Sequence, residues 1–202
     1  MRLVDWGDLE KEHSRVPELA GNRQSALTVG VFDGLHRGHR ALIKKITQMA
    51  PKLVPAVVTF RENPKRLISS DHEQWRELIN FEEKMDFLDT LGVALCVIID
   101  FSEDFSRISG GAFVESLCRF LRPAYMAVGV NFHCGYRRDT DAGAFKALAE
   151  NRGVRVEILD PVLEGGLPVS SSRIRQALKA GRRDEAALLL GRPPGTGPRG
   201  GA

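Results

Sequence analysis

The sequence predicts an α/β fold: a mainly parallel, five-stranded sheet covered by helices, with a helical segment at its C-terminus. Short β-rich apolar runs alternate with amphipathic helical stretches, the order that parallel sheets require. The runs are nearly continuous in apolar residues, as strands buried on both faces are. Glycine or proline punctuates the junctions between them.

The first 26 residues read as a lead-in, with a candidate strand at Arg2 to Asp5 and a loop holding Pro17, Gly21 and Asn22. The first sheet strand is Leu27 to Val31. A helix follows from Gly38 to Ala50, since Leu42, Ile43, Ile46 and Met49 recur at helical spacing opposite Arg40, Lys44, Lys45 and Gln48. Pro51 ends it. Ala56 to Phe60 is the second strand, and a polar segment, Arg61 to Arg66, follows it. The helix at Phe81 to Leu91 stops at Gly92. Strand three is Leu95 to Ile99; the Ser109 to Gly111 run opens a helix that reaches Leu121. Strand four, Tyr125 to Val128, leads through a polar loop to a helix at Asp141 to Asn151 and strand five at Val154 to Leu159. Two helices close the chain, Ser170 to Ala180 and Asp184 to Leu190. Residues 1–192 are expected to form one domain; residues 193–202 are mostly Pro and Gly and are expected to be disordered.

Composition narrows the function. With 29 basic and 26 acidic residues the net charge is +3, without the concentrated basic face of a nucleic-acid binder. No run approaches membrane-spanning length, and the N-terminal segment lacks the apolar core of a signal peptide. Cys96, Cys118 and Cys134 are odd in number and scattered, which fits reduced thiols in a cytoplasmic protein. Cys134 lies beside His133, but no further zinc ligands stand at close spacing.

Two segments carry chemistry. In Gly30-Val31-Phe32-Asp33-Gly34-Leu35-His36-Arg37-Gly38-His39 a strand feeds a helix through glycines. A helix N-terminus reached in this way offers unpaired N–H groups and partial positive charge to a phosphate. Gly34 and Gly38 allow close backbone approach, and His36 and His39 can aim further donors at the same point. Plain capping or packing by the two rings is the alternative. A metal site is another, with Asp33 as its one nearby third ligand. The second segment is Val169-Ser170-Ser171-Ser172-Arg173-Ile174-Arg175. Three hydroxyls and two guanidinium groups at a helix start make another anion site, or an ordinary Ser cap with solvated arginines. Together the two segments suit a ligand with several phosphates.

Here the chain resembles a known family. The first segment is similar to the signature of His-x-Gly-His nucleotidyltransferases, and its Phe-Asp-Gly form to the FAD synthetase (FMN adenylyltransferase) module of bacterial bifunctional riboflavin kinase/FAD synthetases. The Ser-rich segment resembles the Ile-Ser-Ser-Thr-Arg-Ile-Arg motif of that family. Thr59-Phe60 with Pro64 is similar to its Thr-Phe-x-x-x-Pro loop. Residues Val128 to Gly135, with Arg138 and Asp141, resemble its Val-Gly-x-Asp-Phe-x-Phe-Gly loop, and Leu189 to Pro193 its junction with the kinase. The resemblance spans about residues 1 to 193. It departs on the flavin side: Arg61-Glu62-Asn63-Pro64 replaces Glu-Pro-His-Pro, Asn131 an acidic residue, Cys134 an aromatic, and Glu77 an arginine. The chain stops where a kinase domain would begin, so kinase activity is not expected.

The resemblance implies a Rossmann-like sheet of the nucleotidyltransferase type and adenylyl transfer from ATP, with Mg²⁺, to FMN. It implies that His36 and His39 meet the α-phosphate, and that Ser170, Ser171, Ser172 and Arg173 hold the β- and γ-phosphates. Gly30, Phe32, Asp33, Gly34 and Gly38 would frame the nucleotide, and Asn63, Asn131 and Arg138 would contact the flavin or its phosphate. Rival readings are transfer to another phosphorylated acceptor and a weakly catalytic nucleotide- or flavin-binding regulator. The tail after Gly191 leaves room for docking onto a separate riboflavin kinase.

Overall fold

The computed structural model describes residues 1–11, 23–68, 75 and 77–197. Its strands are β1 (Arg2–Asp5), β2 (Ser25–Val29), β3 (Val54–Phe60), β4 (Leu95–Ile99), β5 (Pro123–Gly129), β6 (His133–Cys134), β7 (Thr140–Asp141), β8 (Arg155–Leu159), β9 (Leu163–Glu164) and β10 (Leu167–Pro168). The helices are α1 (Trp6–Lys11), α2 (Arg37–Thr47), α3 (Pro64–Ile68), α4 (Phe81–Thr90), α5 (Glu103–Ser106), α6 (Gly110–Leu121), α7 (Ala142–Glu150), α8 (Ser171–Lys179) and α9 (Arg183–Leu190). The expected lead-in loop with Pro17, Gly21 and Asn22 lies outside the described residues.

Six strands, not five, form the main sheet, in the order β1-β4-β3-β2-β5-β8. Every pairing in it is parallel. The sixth strand is β1, the candidate at Arg2 to Asp5. It adds to the edge of β4, pairing Leu3 with Cys96 and Val4 with Val97. None of its four residues is buried, so this edge strand carries a weaker apolar pattern than the strands inside the sheet.

The first sheet strand also ends earlier than expected, at Val29 rather than Val31. Gly30 N–H still donates to the Val58 carbonyl (3.1 Å). The Val31 carbonyl, however, is taken by the Thr59 hydroxyl (3.2 Å). Phe32 then turns the chain with φ 52°.

Alternate strand residues feed two cores. Leu27, Ala56, Val58, Val97, Ile99, Met126 and Val128 face α6 and α7 with Phe113, Leu117 and Phe145. Ala26, Val57, Cys96, Ile98 and Ala127 face α2 and α4 with Ile43, Ile46 and Leu88. Thus each apolar run is divided between two faces, which explains its lack of alternation. The expected C-terminal helices α8 and α9 pack on each other through Ile174, Ala177, Ala186, Leu189 and Leu190.

The strand order reverses between β2 and β5. Their outgoing loops diverge there and leave a crevice, the usual binding place of an open parallel sheet.

Candidate active site

A cleft of about 360 Å³ opens at that crevice. Its walls come from the segment after β2 (Gly30 to His39), from Asn63 and Lys65 after β3, and from Gly129 to Phe132 after β5. The segment after β8, Leu159 to Val162, and the start of α8 complete it. The loop after β4 is not among the lining residues.

The turn after β2 is tight and left-handed at several residues: Phe32 at φ 52°, Gly34 at 82° and Leu35 at 40°. Such angles are costly for side chains other than glycine and mark a conformation held from outside. The glycines are needed for space as well. A Cβ at Gly30 would stand 3.1 Å from the Phe32 ring, and one at Gly38 would stand 3.2 Å from the His36 ring. The Gly34 site is walled by Leu78, at 3.0 Å from such a Cβ. Gly34 itself does not line the cleft; it lies beneath.

His36 caps α2, its Nδ1 accepting from His39 N–H (3.3 Å). A neutral His36 therefore carries its proton on Nε2. The two imidazoles stack with centroids 3.6 Å apart, and Phe32 meets His39 edge-on at 5.3 Å. His36 is buried, and burial drives its ring down to about 4, helped by the Arg192 and Arg40 charges. His39 is held well below the ordinary imidazole value by burial and by the His36 charge. Its Nδ1 is buried with no partner. A buried polar atom left unpaired beside a stacked imidazole is costly, and an anion in the cleft would change that balance.

The α8 lip faces this turn. Ser170 caps α8 by accepting from Arg173 N–H (3.2 Å). The Ser171 hydroxyl donates to the Asp33 carbonyl (2.9 Å), joining the two segments directly. Ser170, Ser171 and Ser172 all line the cleft.

The two arginines of this segment part ways. Arg175 lines the cleft and pairs with Asp33. Arg173, expected to hold phosphate, turns out of it. Its guanidinium donates to the carbonyls of Glu164 (2.8 Å) and Leu167 (3.2 Å) and lies 3.4 Å from Glu185. Helical geometry is the cause, because residues two apart in a helix face different sides.

Asp33 sits buried at the centre. It accepts from Leu78 N–H (2.8 Å) and from the Asn63 amide (3.5 Å) as well as Arg175. Burial raises its carboxyl against the opposing Arg175 charge. Lys65, Trp75 and Asp160, which the sequence reading did not single out, also line the cleft. Lys65 lies 4.5 Å from the Trp75 ring centroid and Arg175 lies 5.5 Å from it. Lys65 lies in the five-residue helix α3, too short for a periodic pattern to set it apart from solvated neighbours. Beneath them the buried Lys84 donates to the Phe60 carbonyl (2.6 Å).

On the opposite wall, Asn131 lines the cleft but Arg138 does not. The loop folds into the β6–β7 pair with a 3-10 turn at Tyr136–Arg138. His133 Nδ1 lies 3.0 Å from the Asn131 carbonyl and 3.0 Å from the Arg138 guanidinium. Asp139 anchors the loop to α6, accepting from Gly110 N–H (3.0 Å).

The cleft thus offers imidazole and hydroxyl donors, a helix N-terminus on each of two sides, and cations on its rim. That arrangement suits a polyphosphate and a second anionic group. Comparison with known proteins agrees. Residues 19–173 match the FAD synthetase family. The bifunctional riboflavin kinase/FMN adenylyltransferases of Listeria monocytogenes and Escherichia coli K12 are 31% and 32% identical to the chain. Each match covers 83% of this chain and 54% of the relative. The enzyme of that name from Pseudomonas fluorescens is 32% identical over 90% of this chain and 58% of its own length. This chain therefore spans about half the length of those relatives. A crystal structure from Streptococcus pneumoniae described as a macrolide-efflux protein is similar at a TM-score of 0.80, with 26% identity over 96% of this chain and 61% of that one. In the present structure no described helix is long and apolar enough to cross a membrane. On the match over residues 19–173 and the cleft it encloses, the chain belongs to the FAD synthetase family.

Proposed function

We propose that this cleft binds ATP with Mg²⁺ and transfers the adenylyl group to FMN, giving FAD and pyrophosphate. The observation that carries this reading is the stacked His36–His39 pair facing the α8 N-terminus across one cleft. The named relatives, FMN adenylyltransferases, support the choice of ATP and FMN.

An FMN phosphate oxygen attacks the α-phosphorus of ATP. The bond from that phosphorus to the bridging oxygen of the β-phosphate breaks, and pyrophosphate leaves with the electron pair. The attacking oxygen is already anionic, so no general base is needed. Catalysis rests on in-line positioning and on donors aimed at developing charge. His36 Nε2–H and the His39 ring are assigned to the α-phosphate and the bridging oxygen. Ser170, Ser172 and Arg175 are assigned to the β- and γ-phosphates. Ser171 fixes the lip to the turn, and Arg173 fixes the β9–β10 hairpin to α8, in place of the phosphate contact expected of it. Asn63 and Asn131 are assigned to the acceptor, with Arg138 acting through the loop. Asp33 is already engaged by Arg175, Leu78 and Asn63, so Mg²⁺ would be held mostly by phosphate oxygens and water and would offset phosphate charge there.

FMN is the phosphate monoester of riboflavin, so a riboflavin kinase must supply it. The relatives carry both activities in one chain by name; a riboflavin kinase working in the cytoplasm, where the nucleotides are, is the proposed source. The test is to mix the protein with ATP, Mg²⁺ and FMN and to follow FAD by chromatography. FAD and pyrophosphate in equal amounts are expected. ATP binding without FAD would favour a nucleotide-binding regulator, and product from CTP or another phosphate ester would favour a different acceptor.

A further inference from the structure

Two arginines outside the cleft grip the turn that carries the histidines. Arg192, just beyond α9, donates to the Gly34 carbonyl (2.9 Å). Arg40, on the outer side of α2, donates through Nε to the Leu35 carbonyl (3.0 Å). These are consecutive carbonyls of the left-handed stretch. Both guanidiniums lie on Phe87 of α4, Arg192 at 4.4 Å and Arg40 at 5.7 Å from the ring centroid. The end of α9 packs into the same corner: Leu190 lies 3.4 Å from the Cβ position of Gly34, and Gly191 meets the Arg37 and Arg40 side chains.

The consequence follows from peptide geometry. A planar trans peptide points its carbonyl and the next N–H in opposite directions. Holding the Gly34 carbonyl outward directs Leu35 N–H back into the turn, where it donates to the Phe32 carbonyl (3.2 Å). Holding the Leu35 carbonyl outward turns His36 N–H to the opposite edge, away from Arg40. If the Gly34 peptide flipped, the Leu35 N–H bond to the Phe32 carbonyl would break and the turn that leads into His36 would lose its closing contact. Phe32 and Leu35 pay for left-handed angles with no glycine to relieve them, so an outside clamp is needed to keep the turn in this form.

We propose that Arg192, together with Arg40, is a positioning residue that clamps the phosphate-binding turn, so that the segment after the last helix sets the competence of the nucleotide site. Arg192 touches no reacting group; it acts through the Gly34 peptide, and its charge also helps keep the His36 ring neutral. Its planar fork lies on Phe87 while donating, a combination an ammonium does not offer. The inference rests on the adenylyl-transfer reading for its catalytic consequence, but its mechanical core does not.

The test compares Arg192→Ala, Arg192→Lys and the parent protein by three readouts. Hydrogen exchange of peptides covering residues 30–40 should quicken about tenfold in Arg192→Ala, the loss expected for one charge-assisted bond, while exchange in β3, β4 and β5 stays as in the parent. Turnover should fall by a similar factor with KM for FMN unchanged. Free guanidinium should restore part of the turnover, and Arg192→Lys should restore less than guanidinium does. Parent-like exchange over residues 30–40 in folded Arg192→Ala would overturn the clamp, as would uniform quickening across all strands, which means general destabilisation. If Arg192→Ala does not fold, the lysine variant is read by the same exchange measurement. Failure of the parent protein to bind ATP or make FAD would defeat the functional reading, yet the exchange result would still decide the clamp.

Discussion

The two walls of the cleft are built by different means. The proposed nucleotide wall stands on α2 and α8, whose first turns are capped and tied together by the Ser171 bond to Asp33. The acceptor wall is a loop of two-residue strands with Arg137 at φ 53° and Arg138 at φ 62°. It touches the rest of the fold through the Asp139 bond to α6 and through packing of Phe132 on Phe145. One wall is set by helix geometry, the other by the details of a short loop. A helix N-terminus binds any phosphate, so the first wall can serve many nucleotidyl transfers. The second can be retuned by loop substitutions without disturbing the sheet. Mutations that separate nucleotide from acceptor effects therefore test this division.

The largest effect is expected at the stacked pair. His36→Ala or His39→Ala should lower turnover by about a hundredfold or more, the usual loss when one charge-stabilising donor is removed. Steady-state assays on folded protein check this, and near-normal turnover in either variant defeats the assignment.

Next come the two arginines of α8, which sequence spacing alone did not separate. Arg175→Ala should weaken ATP binding by about tenfold to a hundredfold, as expected for a charged hydrogen-bonding partner. The loss of its pairing with Asp33 also leaves a buried carboxylate unmatched, so the stability of this variant should fall as well. Arg173→Ala should leave ATP affinity close to the parent value and lower the melting temperature by a few degrees, about the effect of 1 kcal/mol in a domain of this size. Calorimetric titration with a non-hydrolysable ATP analogue, run beside thermal melts, reads both. Equal losses of affinity in the two variants would erase the distinction drawn from the structure.

The nucleotide wall also predicts a pH dependence. His36 is held down at about 4 when folded, against roughly 6.5 unfolded. Between those values the unfolded chain binds the extra proton, so stability rises with pH. The contribution of the neutral ring is complete above pH ~6.5 and is lost as pH falls toward the folded value. From pH ~7.5 to ~5.5 the loss from His36 is about 1 kcal/mol, and His39, shifted the same way, adds to it. Urea denaturation at the two pH values measures the difference. His36→Gln should flatten the dependence, and an unchanged slope in that variant would show that other groups produce it.

Much of this was readable in the sequence, and the failures are physical ones. That the two Gly-His and Ser-rich segments would meet is legible because glycines, histidines and serines at helix starts suit one task in combination, and both line the cleft. The parallel sheet was legible because two-sided burial erases alternation. The edge strand β1 escapes a five-strand count because four residues, none of them buried, make a weak pattern. Arg173 was placed in the cleft because linear order does not show which of two neighbouring helical residues faces inward. Lys65, Trp75 and Lys84 were passed over because their significance arises from loops and α4 meeting at the strand ends, a long-range property. Asn63 and Asn131 do reach the cleft, whereas Arg138 stands outside it beside His133.

The acceptor wall supplies the smallest and most selective test. Arg138 pays about 1 kcal/mol for a left-handed backbone that glycine adopts freely. Arg138→Gly removes that strain but also removes the guanidinium beside His133, 3.0 Å away, and adds unfolded-chain entropy. These terms nearly cancel in stability, so the melting temperature should move by only a few degrees in either direction. Function should not cancel. His133 Nδ1 can donate to the Asn131 carbonyl or accept from Arg138, not both; without the guanidinium that choice is lost, and the loop loses a cation near Lys65, whose pKa that charge helps to lower. KM for FMN should rise severalfold while KM for ATP stays within a factor of about two, as uniform loss of acceptor binding requires. Arg138→Lys, which keeps the charge but not the planar fork, should fall between the two. A matched rise in both KM values would mean that the two walls are coupled, and that the loop sets the nucleotide site as well.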